Sequence, residues 1–403
     1  MIAASYKPTA PAAFGERLSV EVAMSYRSRA LVVSGATLAL MLGLSAVGGS
    51  VLAQDATPAA VVGSAESLAA ENWSWPVEYV VDGERQPATM YQPIAKDAVT
   101  QQWNICVAFP HLKDPYWLGA NYGIAEEIRR VGATMTLFEA GGYTELDKQL
   151  SQMDDCVAQG AQAIILGAIS ADGVNAKVEE IVGNGIPVID FVNGVNSPEV
   201  SGHALVSFYD MGYTAGTHML ENLVSGDEPV QVAFFPGPQG AGWTDAAYKG
   251  FLDATEGTNI EVVATKWGDT GRDIQLKLVE DELQANPDID FIVGNAQASV
   301  SAVQAVREAG LEDSVKVLAF HQNPPVYDGI AAGGIVASSN DHTVIQGRLA
   351  VDQAVRLLEG ETLEPSNRVG PVITVMTPEN LETEFVWEST FAPTDYNPEF
   401  TVE

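Results

Sequence analysis

Trp103-Asn104-Ile105-Cys106-Val107-Ala108-Phe109 runs directly into Pro110-His111-Leu112-Lys113-Asp114-Pro115-Tyr116-Trp117. The first seven residues carry no charge and are mostly apolar, as a strand covered on both faces must be, and two prolines then bracket a polar turn. From 119 to 130 apolar residues recur at helical spacing with charges on the outer face. Strand, turn and helix in that order make half of a βαβ unit, and the order recurs. Strands are expected at 104–109, 134–139, 163–166, 187–191 and 204–206, with helices at 119–130, 145–159 and 172–182. A second series follows: helix 213–223, strand 231–235, helix 246–255, strand 260–267, helix 272–286, strand 291–293, helix 298–309 and strand 315–320. Buried strands alternating with amphipathic helices specify parallel sheets, and two series of similar size specify two doubly wound α/β lobes.

Strand 334–338, helix 345–358 and strand 372–375 are left over, so the chain is expected to cross back and let the lobes open like a jaw. A ligand would lie between them, beyond the carboxyl ends of the strands. The expected boundaries are an N-terminal lobe of 103–206 plus 341–365, a C-terminal lobe of 207–340 plus 366–380, and a tail of 381–403. Residues 54–102, marked by Trp73-Ser74-Trp75-Pro76, Pro87 and Pro93 and lacking a sustained period, are expected to pack as an arm.

The 403 residues are 46% apolar, enough for two domains with real cores. Twenty Lys+Arg against 53 Asp+Glu give a net charge of −33, a field that repels nucleic-acid phosphates and anionic lipid headgroups. At the N-terminus, Arg27 and Arg29 precede an uncharged apolar run at 30–47, and Val51-Leu52-Ala53 supplies small residues for a signal peptidase. Residues 1–53 are therefore expected to be a signal peptide cleaved after Ala53, with Met24 as an alternative start. The run is short and ends in small residues, which argues against a retained anchor. No later stretch approaches a membrane span, so a soluble exported chain without membrane insertion is expected.

Cys106 and Cys156 are the chain's two cysteines. In an oxidising compartment they can bridge, and their apolar surroundings equally suit two buried thiols. No His or Cys pair has metal-ligand spacing, and no cofactor motif is present: the glycine-rich run Pro236-Gly237-Pro238-Gln239-Gly240-Ala241-Gly242-Trp243 lacks the Lys of a phosphate loop, and G-x-S-x-G and H-E-x-x-H do not occur. An enzyme is not expected.

Trp103-Asn104-Ile105-Cys106, the run from Pro110 to Trp117, Glu139-Ala140-Gly141-Gly142-Tyr143, Met211-Gly212-Tyr213, Ile289-Asp290-Phe291-Ile292-Val293-Gly294 and Gln346-Gly347-Arg348-Leu349-Ala350 resemble, in register, the TorT family of type I periplasmic binding proteins. The resemblance covers roughly residue 90 to the C-terminus. It implies two α/β lobes joined by three crossings, trimethylamine-N-oxide as ligand, and the periplasmic domain of a membrane sensor histidine kinase as the partner regulated when the lobes close. Carried over position by position, it implies a ligand cage of Asp114, Tyr116, Trp117 and Tyr143. Phe208 and Phe320 stand where the family has Trp and Tyr, keeping a ring but losing an N–H and an O–H.

The cage makes chemical sense. Three methyls carrying diffuse positive charge suit aromatic faces, and the oxide oxygen needs donors, which indole and phenol supply. Asp114 has two readings, a carboxylate that complements the methylated nitrogen and a cap for the helix after Pro115. Tyr116 and Trp117 are expected to face the cleft. His321, beside Phe320, is weighed as a donor against the solvated loop histidine that such a position more often holds. The alternative function is the solute-binding component of an ABC importer for a methylated amine or a sugar; against a sugar, the turn ending at Trp243 has no Arg to hold hydroxyls.

Overall fold

The computed structural model describes residues 63–403, so the expected signal peptide lies outside the described residues. The first lobe is built on the strand Asn104–Phe109, flanked by Thr134–Glu139 and Ala163–Leu166, with Val188–Phe191 and Gly202–Ala204 continuing the parallel sheet. The second lobe has the order Ile260–Trp267, Val230–Gly237, Phe291–Gly294, Lys316–Ala319, Ala337–Asn340 and Thr374–Met376, parallel except at the last pair.

The chain crosses between Ala204 and Phe208, between Asn340 and Thr343, and between Pro371 and Thr374. These three crossings correct the expected boundaries in one place. Arg368–Pro371 adds to the first lobe's sheet beside Gly202–Ala204, and only Thr374–Met376 belongs to the second. The tail then returns to the first lobe, where Thr401–Val402 pairs antiparallel with Thr134–Glu139.

The arm is not a loose wrapping. Trp75–Val81 pairs with Arg368–Pro371 and carries two short partners, Glu84–Arg85 and Thr89–Tyr91, so the arm extends the first sheet at its edge. A buried polar cluster pins it: Trp73 Nε1 donates to Glu127 at 2.8 Å, and Asp352 accepts from Tyr91 Oη at 2.5 Å and from the Ile94 N–H at 2.6 Å. Arg130 and Arg356 compensate those two buried carboxylates, which would otherwise be costly to hold in the interior.

Helices cover both faces of each sheet, and one close helix pair matters for the site. Phe208–His218 and Trp243–Thr255 approach until a Cβ on Gly212 would stand 1.9 Å from the Ala247 carbonyl oxygen, and one on Gly250 1.9 Å from that of Tyr209. Only glycine fits there. The contact fixes the first turns of both helices, which carry Phe208 and Trp243, relative to each other. No described helix is long and apolar enough to cross a membrane.

Candidate functional site

The two lobes meet over a narrow cavity lined by residues of both. Its walls come from the carboxyl ends of strands and the first helical turns after them, as expected for doubly wound sheets. Tyr116 and Trp117 sit in the first turn of the helix Pro115–Val131. That turn forms because Asp114 Oδ1 accepts the Tyr116 N–H at 2.9 Å while Pro115 fills the first helical position, where no N–H is needed. Tyr143 follows Gly141 and Gly142, whose φ of 105° and 152° suit glycine. From the second lobe, Phe208 follows the cap Ser207, and Trp243 follows Gly242 at φ 87°.

The rings form a circuit across both lobes. Tyr143 and Trp243 lie 6.0 Å apart between centroids, Trp243 and Phe208 5.2 Å, Phe208 and His321 6.1 Å, His321 and Tyr116 5.4 Å, and Tyr116 and Trp117 5.9 Å. Such a circuit presents π faces to a compact cation. Asp114 lines the same cavity. Burial, with the Asp269 charge adding, pushes its carboxyl up to about 6 against the N–H bonds from Tyr116 and Trp117. Burial lowers His111 to about 4 and His321 to about 3, so both imidazoles are neutral at pH 7. Among the described residues no cluster of His, Cys, Asp or Glu is arranged to hold a metal ion.

The structure separates the polar roles of the cage residues. Tyr143 Oη accepts from Asn193 Nδ2 at 3.0 Å, which leaves its own proton for the cavity, and burial raises its pKa. Tyr116 Oη is committed: it donates at 2.6 Å to Asp341 Oδ2, so Tyr116 offers only its ring. The indole Nε1 of Trp243 is buried and directed at the Tyr143 hydroxyl, but makes no hydrogen bond of good geometry.

Five sequence expectations are refined or corrected here. Asp114 is the cap of its helix and also a wall of the cavity, so its two readings describe one residue. Trp117 does not stand free in the cleft. It is only 2% exposed, its ring lies 4.9 Å from Phe109 and 5.9 Å from Phe191, and a Cβ on Gly167 would touch it at 2.7 Å. Phe320 is outside the lining: it is fully buried and stacked on Phe234 at 5.8 Å and 4°. The next residue, His321, just past the end of the strand Lys316–Ala319, lines the cavity instead. Cys106 and Cys156 are joined as a disulfide between the strand Asn104–Phe109 and the helix Leu146–Ala158.

Sequence reasoning passed over Trp243, His111, Asn193, Asn295 and Asn323, all of which line the cavity. A signal for Trp243 was present: Gly240-Ala241-Gly242-Trp243 follows its strand as Ala140-Gly141-Gly142-Tyr143 follows another, small residues and then a ring. Asn193 had none. It is aimed by the turn at Val192, a β-branched residue at φ 60°, a conformation costing about 1–3 kcal/mol that is met mainly at functional sites.

Two α/β lobes closed over an aromatic cavity at three crossings define a hinged binding protein for a small ligand. A periplasmic binding protein domain matches residues 105–362. The periplasmic protein TorT of Escherichia coli O157:H7 is 35% identical over 296 residues, covering 73% of this chain and 84% of that protein. TorT in complex with the TorS sensor domain, solved without ligand and in the presence of TMAO, is 31% identical with a TM-score of 0.67, covering 74% of this chain and all of that one. An ABC transporter solute-binding protein from Bradyrhizobium sp. BTAi1, with bound bis-tris, is 47% identical with a TM-score of 0.70, covering 81% of this chain and 98% of that one. The chain belongs to the periplasmic binding protein family and, within it, to the proteins similar to TorT. It is a periplasmic binding protein and not an enzyme.

Proposed function

We propose that the protein closes on trimethylamine-N-oxide or a similar methylated amine and reports the closed state to the periplasmic domain of a membrane sensor histidine kinase. The observation that carries the ligand class is the ring circuit with Asp114 in its wall and two donors that face each other on the cavity, Trp243 Nε1, which has no partner at hydrogen-bond geometry, and the proton of Tyr143 Oη. Rings and carboxylate suit the methylated nitrogen, and the donors suit the oxide oxygen. The partner follows from the similarity to TorT, which is seen bound to the TorS sensor domain. A ligand that bridges the lobes stabilises the closed form over the open one, which is what a closure signal requires.

The similarity to the Bradyrhizobium solute-binding protein favours a second reading, delivery of an amine to an importer, through the same site. That protein's bis-tris is itself an amine. The ribose import binding protein of Bacillus subtilis, 22% identical over 285 residues, is a more distant relative.

Calorimetry of the exported chain with trimethylamine-N-oxide, glycine betaine, choline and ribose tests the ligand class, in a buffer free of bis-tris. Binding of the amines is expected; ribose binding with no amine binding overturns it. Gel filtration with the periplasmic domain of a TorS-like kinase separates the two partner readings: a stable complex supports the receptor, and a protein that stays free with and without ligand supports the importer.

A further inference from the structure

Three buried nitrogens lining the cavity have no hydrogen-bond partner: Trp243 Nε1, His321 Nδ1 and Asn323 Nδ2. Buried polar atoms are nearly always paired, so three together around one cavity ask for a common reason. All three belong to the second lobe, and each is fixed by a contact behind it. Asn323 caps the helix Pro324–Ala331, its Oδ1 accepting the Val326 N–H at 2.9 Å, which turns its NH₂ away from the helix. His321 Nε2 faces the Ala296 N–H at 3.4 Å and accepts from it, so in the neutral ring the proton sits on Nδ1. Trp243 is held at the head of its helix against Phe208 and Phe320. All three are therefore donors. The first lobe contributes the Asp114 carboxyl and the rings of Tyr116 and Trp117, while its Tyr143 hydroxyl stands on the boundary beside Trp243 and joins the second lobe's donors.

From this we infer that the cage is divided by lobe, the first holding the methylated cation and the second reading the ligand's anionic oxygen through Trp243, His321 and Asn323. The inference rests on the methylated-amine reading and adds to it the residues that set specificity. It moves the discrimination against oxygen-free amines away from Tyr116, whose hydroxyl is spent, and away from Phe320, which does not reach the cavity. It also ties closure to the oxygen: an oxygen-free cation can occupy the first lobe, but closing over it leaves buried donors unpaired.

The test is calorimetry with trimethylamine-N-oxide and with tetramethylammonium, on the wild type, Trp243→Phe and Asn323→Asp. Trp243→Phe keeps the ring, and Asn323→Asp keeps the helix cap while replacing donors with an acceptor. Each is expected to weaken oxide binding by about tenfold or more, the worth of one buried donor, while tetramethylammonium binding falls by clearly less in the first, which keeps a ring, and is unchanged or tighter in the second. Melting temperatures near the wild type's confirm that the variants fold. Equal losses for both ligands, or no loss for the oxide, overturn the division of the cage while leaving the amine reading intact. A wild type that binds neither ligand overturns both.

Discussion

Tyr116 Oη donates a 2.6 Å hydrogen bond to Asp341 Oδ2, joining a wall of the ligand cavity to the second crossing between the lobes. The link continues. Gln346 Nε2 donates to Asp341 Oδ2 at 2.9 Å, and Gln346 Oε1 accepts the Val206 N–H of the first crossing at 3.3 Å. A buried carboxylate thus sits at the hinge, its pKa raised by burial and held back by Tyr116 and Gln346.

Removing the hydroxyl isolates this link. Tyr116→Phe keeps the ring but takes a donor from a buried carboxylate, a loss of about 1–3 kcal/mol in stability. A lower melting temperature with ligand affinity nearly unchanged is expected in paired melting and calorimetry. An affinity loss without a stability loss would show instead that the hydroxyl touches ligand.

Trp117 is both floor of the cavity and core of the first lobe. Trp117→Ala opens a hole against Phe109, Phe191 and Gly167 and is expected to cost about 3–5 kcal/mol in stability, with a further loss in binding from the missing π face. Denaturant unfolding without ligand reads the first effect by itself. An unchanged midpoint there would place the ring in the cleft alone.

The central strands were legible as short, mostly apolar runs, 104–109 and 163–166 buried on both faces and 134–139 alternating, and all three match the observed strands residue for residue. Helix beginnings were not. The helices expected from 119, 213, 246 and 298 start at Pro115, Phe208, Trp243 and Ala296. Their first turns face the cavity, so the residues there are not set by packing against a sheet and break the apolar period on which such a reading depends. The helix Pro324–Ala331 was missed, and with it Asn323, since two prolines after a loop look like more loop. The ring at Phe320 was visible but its direction was not, because the chain has already left the strand there; Phe320 turns into the core and His321 into the cavity.

The disulfide can be tested directly. Cys106 and Cys156 are 50 residues apart, and a loop of that length is worth about 4 kcal/mol when closed in the unfolded chain. Intact mass without reductant is expected to show both thiol hydrogens missing, and reduction to lower the melting temperature. Complete alkylation of both residues under non-reducing denaturing conditions would rule the bridge out in the isolated protein.

Asp114 gives the site a pH dependence whose sign differs for folding and for binding. Its folded pKa, about 6, lies above the ordinary value of 3.8, so the folded chain binds the proton more tightly than the unfolded one. The resulting stability, up to about 3 kcal/mol, is fully present below pH 4 and lost as pH rises through 6. Binding of a permanent cation runs the other way, because only the carboxylate complements it. Affinity for tetramethylammonium is expected to rise about tenfold per unit up to pH 6 and level off above it. His111, lowered to about 4 by burial, is already neutral where Asp114 titrates. Asp114→Asn retains the acceptor that caps the helix and removes the titration. It is expected to bind tetramethylammonium weakly at every pH and to melt higher than the wild type at pH 7 and the same at pH 4. A pH profile in the variant that still rises through 6 would assign the titration to another group.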